Sequence, residues 1–414
     1  MNHRPIFPGL IGALALSCAA APGAIAQDRT LAEVKQEVLR RAGRIQPFDD
    51  VRPEDVREIL NSITSLDRDE WAGQWCKIGL AWEARGDALA KQGAESRQIG
   101  ETYYLAFNYC RNGRYPVDST PGKKEAYRHS LRMFRKAAPH FDPPLQVVEV
   151  PFEGGKLTGY LQIPRGLVKP PVVMHWGGVD TWKEDMQRGS AGLHRAGLAT
   201  LTVDMPGTGE NPVLYTEPNA ERTFSAMIDH LAQRGDVDGG RIGAWGRSFG
   251  GYWAAKLAHV EAKRLRGAVI HGGNVHYGFQ EAWLRPALTK TASTYLFGPG
   301  SLFEARSKAL GVKTLDEFLQ ATPKLSLLTQ GLLDRASAPL LGVNGKLDDQ
   351  APVDDIYLLM EHGKPKEGRI YPKGGHMGRS PGMSETEIPE MIAAWLKEKL
   401  TGPFATGPEP RRSP

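Results

Sequence analysis

Residues 246–251 read G-R-S-F-G-G, directly after the run R-I-G-A-W and directly before Y-W-A-A-K-L-A-H-V. A serine thus stands two positions from a glycine on either side, where a strand pattern gives way to a helix pattern. G-x-S-x-G in that setting is the nucleophile-elbow pattern. The chemistry it permits is attack of the Ser248 hydroxyl on a carbonyl. Ser248 would take a strained backbone conformation so that its hydroxyl stands clear of the sheet. Gly246 and Gly250 would leave room where a side chain would meet neighbouring strand and helix backbone. A helix starting there aims its free amides and positive dipole end at a developing negative charge. The competing reading is a glycine turn whose serine merely caps the helix.

A serine hydroxyl is a weak nucleophile unless a base takes its proton and an acid holds that base. Sheets of this kind carry the three in the order serine, acid, histidine. K-L-D-D-Q-A-P, after the strand pattern A-P-L-L-G-V-N-G, supplies Asp348, with Asp349 as the alternative. G-G-H-M-G near the end supplies His376 on a glycine-rich loop. An oxyanion needs two backbone N–H donors. H-W-G-G-V-D at 175–180 suggests the amide of Val179, or else Gly178, and the residue after the serine suggests that of Phe249. His175 and His276, with His271, lie near strand ends and are candidates to line a substrate pocket. D-M-P-G-T-G-E at 204–210 is a candidate for its floor. No C-x-x-C or paired-histidine spacing occurs, so the chemistry is assigned to side chains alone, with no cofactor and no metal.

These groups need a scaffold, and the pattern provides one. Residues 27–144 read as helices. Thr30 and Glu33 form a capping-box pattern, Trp71, Trp75, Ile78 and Trp82 repeat at helical spacing, and Tyr103, Tyr104 and Phe107 mark a further helix. Such an aromatic stripe predicts helix–helix core before it predicts a ligand box. Near residue 145 the texture changes. L-Q-V-V-E-V-P-F-E-G-G-K-L-T-G-Y-L-Q reads as a hairpin, and short apolar strands then alternate with helices over 145–401. That predicts an α/β domain: a mostly parallel sheet with helices on both faces, its chemistry gathered at the C-terminal ends of the strands. Residues 275–335 interrupt the rhythm with helical segments and predict an insertion over one sheet edge. Residues 402–414 lack apolar pattern and predict a disordered tail.

The chain has 414 residues, enough for two domains. Its 52 basic and 47 acidic residues are interspersed, which gives no basic stripe for nucleic acid. Arg4 followed by I-F-P-G-L-I-G-A-L-A-L-S-C-A-A-A and A-I-A predicts a secretory signal over 1–26, cut after Ala26. No second long apolar segment follows, so the expectation is a secreted or periplasmic protein that does not span a membrane. Cleavage would leave Cys76 and Cys110, either as a disulfide or as two separate buried thiols.

The stretches G-G-V-D-T-W-K-E-D, D-M-P-G-T-G-E, D-G-G-R-I-G-A-W-G-R-S-F-G-G-Y-W-A-A-K-L-A, G-K-L-D-D-Q-A-P and G-G-H-M-G, with Y-L-A-F-N-Y-C-R-N-G-R-Y-P in the helical half, resemble the FrsA-like α/β-hydrolases. The likeness spans most of the chain. It implies an α/β-hydrolase fold with an N-terminal all-helical cap over the active site, Ser248, Asp348 and His376 as the triad, and a homodimer. It also implies a small organic substrate, cleaved at a carboxylic ester or at an acyl carbon–carbon bond. Two other functions compete: a prolyl-oligopeptidase-like serine peptidase, which G-R-S-F-G-G-Y also resembles, and a silent binding protein on a hydrolase fold. The short helical front argues against the first, and the intact three-part set against the second.

Overall fold

A computed structural model describes residues 28–290 and 295–403. The expected signal segment lies outside them, as do residues 404–414 of the expected tail. Among the described residues no helix is long and apolar enough to cross a membrane.

The N-terminal region folds as five helices: α1 (Leu31–Arg41), α2 (Pro53–Ser62), α3 (Arg68–Lys91), α4 (Ser96–Arg114) and α5 (Pro121–Ala137). Thr30 closes the capping box with Glu33 at the head of α1. The aromatic stripe is core: Trp71 and Trp75 of α3 are buried and pack with Phe48 and Tyr109. Cys76 of α3 and Cys110 of α4 are joined as a disulfide, which resolves the two readings of these thiols.

Eight strands follow: β1 (Leu145–Phe152), β2 (Gly155–Gln162), β3 (Pro171–Trp176), β4 (Ala199–Val203), β5 (Asp238–Arg247), β6 (Leu265–His271), β7 (Leu340–Gly345) and β8 (Lys366–Tyr371). They form one sheet in the order β1-β2-β4-β3-β5-β6-β7-β8. β1 and β2 pair antiparallel, as do β2 and β4, and every later neighbour pair is parallel. Strand side chains alternate between the two faces. Val172, Met174 and Trp176 join the cluster that holds Phe224, Ile228 and Ala255. Val173, Trp245, Val269 and Val343 join the opposite cluster, with Ile392, Leu396 and Leu400 of the C-terminal helix Glu387–Thr401. Both sheet faces are therefore buried, as the near-continuous apolar strands require.

The helical region is fused to the sheet domain rather than strung beside it. Val117 and Tyr127 belong to the main core, while Leu145 and Tyr160 of the sheet belong to the core between α3, α4 and α5. Two buried arginines of α4 make a charged joint. Arg111 Nε donates to Asp185 Oδ1 at 2.6 Å, and Arg114 Nη2 donates to Asp185 Oδ2 at 3.1 Å. Arg114 also stacks over the Trp182 ring at 3.8 Å. The segment 275–335 is helical over Glu281–Lys290, Pro299–Leu310 and Leu315–Ala321. It does not stop at a sheet edge. Phe279, Ala305 and Phe318 enter the main core, and Leu296 and Phe297 enter the core of α1–α3. The Asp355 carboxylate holds its start, accepting from the amides of Val275, His276, Tyr277 and Gly278 at 2.8–3.1 Å.

Candidate active site

β5 ends at Arg247, and a single 3₁₀ turn, Ser248–Gly250, leads into the helix Gly251–Val260. The strand-to-helix transition expected here thus runs through a tight turn before an α-helix from Gly251. Ser248 carries φ +52°, a left-handed conformation that costs a non-glycine residue energy and marks a constrained position. The flanking glycines have a steric reason. A methyl on Gly246 would lie 2.7 Å from Trp176 Nε1 and run into the Gly250 carbonyl. One on Gly250 would lie 2.7 Å from Trp176 Cδ1 and run into the Gly177 carbonyl. Trp176 Nε1 donates to the Gly250 carbonyl at 2.8 Å and pins the elbow to the end of β3.

Ser248 Oγ lies 2.8 Å from His376 Nε2, and His376 Nδ1 lies 2.8 Å from Asp348 Oδ2. Three side chains from the ends of β5, β7 and β8 therefore form one hydrogen-bonded chain. The network assigns the tautomer: Nδ1–H donates to Asp348, which leaves Nε2 to accept from Ser248. Asp348 is fully buried and His376 17% exposed at their side chains. Burial opposes ionisation of Asp348. The His376 ring and the amides of Gln350 and Ala351, which donate to Oδ1 at 2.7 and 3.1 Å, outweigh that and hold the carboxyl below its ordinary range. Asp349, the alternative acid, takes no part in this chain, and burial beside Asp348 raises its carboxyl.

The loop after β3 closes against the serine. A methyl on Gly178 would come 3.0 Å from Ser248 Cβ and 3.3 Å from Oγ. The Gly178 amide donates to Thr181 Oγ1 at 3.0 Å. The amides of Val179 and Phe249 have no acceptor among the described residues, so these two amides remain available as oxyanion donors.

The two histidines expected in a pocket are elsewhere. His175 is fully buried on the face opposite Met174 and Trp176. It stacks on Trp245 at 4.3 Å, near-parallel, with Ser190 Oγ 3.3 Å from Nδ1. Strand alternation turns it into the core beneath the C-terminal helix, and burial keeps its ring far below the ordinary histidine range. His276 anchors the segment 275–335 instead, with Nδ1 2.7 Å from Ser326 Oγ. The loop 204–210 does not line the cavity at Ser248. Asp204 and Glu210 bind the buried Lys183 ammonium at 2.7 and 2.9 Å, because a buried cation needs counter-charges.

His271 is a supporting residue that its strand-end position alone did not reveal. Burial pushes its pKa down to about 3, so it stays neutral, and Nε2–H donates to the Met377 carbonyl at 2.8 Å. That bond fixes the loop bearing His376. A cavity of about 230 Å³ opens onto Ser248 and His376. The helical region contributes Arg41, Gln46, Arg111 and Tyr115 to its lining, the loop after β3 Asp180, and the segment 275–335 Tyr295. Arg247 and Arg379 complete the rim. Arg247 lies inside the G-R-S-F-G motif itself, whereas the helical contributors carry no sequence signature.

The sheet order and the serine elbow define the α/β-hydrolase class, here with an N-terminal helical region. Within it, the chain belongs to the FrsA-like esterase family, whose model matches residues 34–371. It is accordingly a hydrolase. Esterase FrsA of Pectobacterium atrosepticum is 25% identical over 351 residues, spanning 83% of this chain and 80% of that protein. The crystal structure of 2,6-dihydroxy-pseudo-oxynicotine hydrolase aligns with TM-score 0.71 at 22% identity, covering 85% of this chain and 94% of that one. AbyA5 aligns with TM-score 0.65 at 23% identity, covering 84% and 89%. At these identities the structural likeness is one of fold.

Proposed function

We propose that this protein is a serine hydrolase that cleaves a carboxylic ester of a small organic substrate through an acyl-enzyme. The observation that carries this reading is the Asp348–His376–Ser248 hydrogen-bonded chain opening onto a cavity of about 230 Å³. Ser248 Oγ attacks the carbonyl carbon while His376 Nε2 takes its proton. Asp348 keeps the imidazole in the needed tautomer and stabilises the imidazolium. The amides of Val179 and Phe249 receive the oxyanion, a site whose donors are set before charge develops. The tetrahedral adduct collapses as His376 returns the proton to the leaving oxygen. Water, deprotonated by the same imidazole, then releases the acid and restores Ser248. An acyl carbon–carbon bond would pass through the same adduct but would need a proton delivered to carbon.

Support for an enzyme over a silent binding protein comes from the hydrogen-bonded chain that sets a base and its acid on one serine hydroxyl, an arrangement that activates a nucleophile. The test compares the parent with Ser248→Ala on p-nitrophenyl butyrate and on a fluorophosphonate probe. The parent is expected to hydrolyse the ester and take the label, and the variant to lose both by orders of magnitude. Equal hydrolysis and labelling in the variant would overturn the reading.

A further inference from the structure

The cavity beside Ser248 is rich in guanidinium groups, and their partners divide them into two sets. Arg40 and Arg41 are held by Glu37, at 2.7 and 2.5 Å. Arg111 is held by Asp185 at 2.6 Å. Arg247 and Arg379 differ: among the described residues neither guanidinium makes a hydrogen bond or an ion pair. Both line this cavity, and both also line the adjoining cavity of about 300 Å³, so they stand where the two spaces meet. Arg247 directly precedes the serine, and Arg379 follows His376 by three residues.

Asp180 and Glu385 act on Arg247 through space, but no acidic group among the described residues pairs directly with either guanidinium. Asp180, in the Ser248 cavity, is kept above its ordinary range by burial and has Arg111 and Arg114 as its neighbouring cations. In the adjoining cavity Asp185, Asp50 and Glu390 are bound to Arg111, Arg188 and Arg195 respectively, and the exposed Asp49 acts on Arg111. Glu385 acts on Arg247 through space without a contact. Arg247 is half-buried. A half-buried guanidinium without an acceptor loses part of its hydration with nothing in exchange, and the charge of the exposed Arg379 adds to that cost. Burial, then the charge of Arg379, pulls Arg247 down to about 10. A bound anion would relieve both. A carboxylate matches the guanidinium fork in shape and accepts two parallel N–H bonds.

We propose that Arg247, with Arg379, binds a carboxylate carried by the substrate, so that the preferred substrate is an ester whose acyl chain ends in a free carboxylate. This rests on the serine-hydrolase reading and narrows it to a substrate class. Ser248 would attack the ester carbonyl while the distal carboxylate sits at the junction of the two cavities.

The test measures kcat/KM for mono-p-nitrophenyl glutarate and for the neutral p-nitrophenyl valerate, at constant ionic strength. The parent is expected to prefer the glutarate hemiester by about tenfold or more, mainly through KM. In Arg247→Gln and in Arg379→Gln that ratio should fall by about tenfold. Because Arg247→Gln could disturb the elbow, the intact parent supplies a second readout: free glutarate should inhibit valerate hydrolysis competitively, and glutaramide should not. Equal kcat/KM for the two esters in a parent that labels with fluorophosphonate would overturn the carboxylate site and leave the hydrolase intact. A parent that neither labels nor cleaves either ester would take both readings down.

Discussion

In the proposed mechanism Asp348 orients His376, and the hydrogen bonds it accepts also bear on stability. Oδ2 holds His376, and Oδ1 is saturated by two backbone amides. Replacing it with asparagine puts an NH₂ or a neutral oxygen opposite Nδ1, so the tautomer that accepts from Ser248 is no longer selected. In Asp348→Asn, kcat is expected to fall by about 10³–10⁴-fold with KM little changed; a loss under tenfold in steady-state kinetics would contradict the assigned role. The same group leaves a trace in stability. Its carboxyl ionises at lower pH folded than unfolded, so its contribution is present above about pH 4 and is lost as pH falls below that. Urea midpoints of the parent should therefore drop more steeply between about pH 5 and pH 3 than those of Asp348→Asn. Parallel slopes would mean that the bonds to Oδ1 and Oδ2 add no net stability.

At the scale of elements, buried ion pairs join α4 of the helical region to the loop after β3. Arg111, Arg114 and Asp185 are all nearly inaccessible to water. Removing the shared carboxylate strands two cations, a change that costs about 3–5 kcal/mol when a buried pair is broken. Asp185→Ala should lose stability on that scale in denaturant titration, whereas a loss below about 1 kcal/mol would show the joint to be dispensable. This element also marks where sequence reasoning stops. The three loops bearing Ser248, Asp348 and His376 were legible because an elbow, a strand end and a glycine loop each leave a local pattern. Arg111–Asp185 spans 74 positions and leaves none. The pocket roles expected for His175 and His276 failed for a related reason: nearness to a strand end does not say which face a side chain takes. For His175 the alternation with Met174 and Trp176 settles that, and it points into the core.

For the whole molecule, the helical region and the sheet share their hydrophobic cores, with Tyr127 in one and Tyr160 and Phe297 in others. Deleting residues 27–140 would strip those faces and remove the helical side of the Ser248 cavity. The truncated protein is expected to be insoluble or to lack a cooperative unfolding transition. A soluble truncation with parental ester kinetics would show the two parts to be independent. The sheet and the front helices were legible from period-two and period-3.6 patterns. The interleaving of 275–335 between them was not, since Leu296 and Phe297 look like any other apolar pair until the chain is folded. The most direct test of the central claim is to quench the parent in acid during turnover of p-nitrophenyl butyrate and map the adduct by peptide mass spectrometry. The expected result is one added butyryl group on the peptide containing Ser248, absent from Ser248→Ala. Turnover with no adduct on that peptide, or with the adduct on another residue, would contradict nucleophilic catalysis by Ser248.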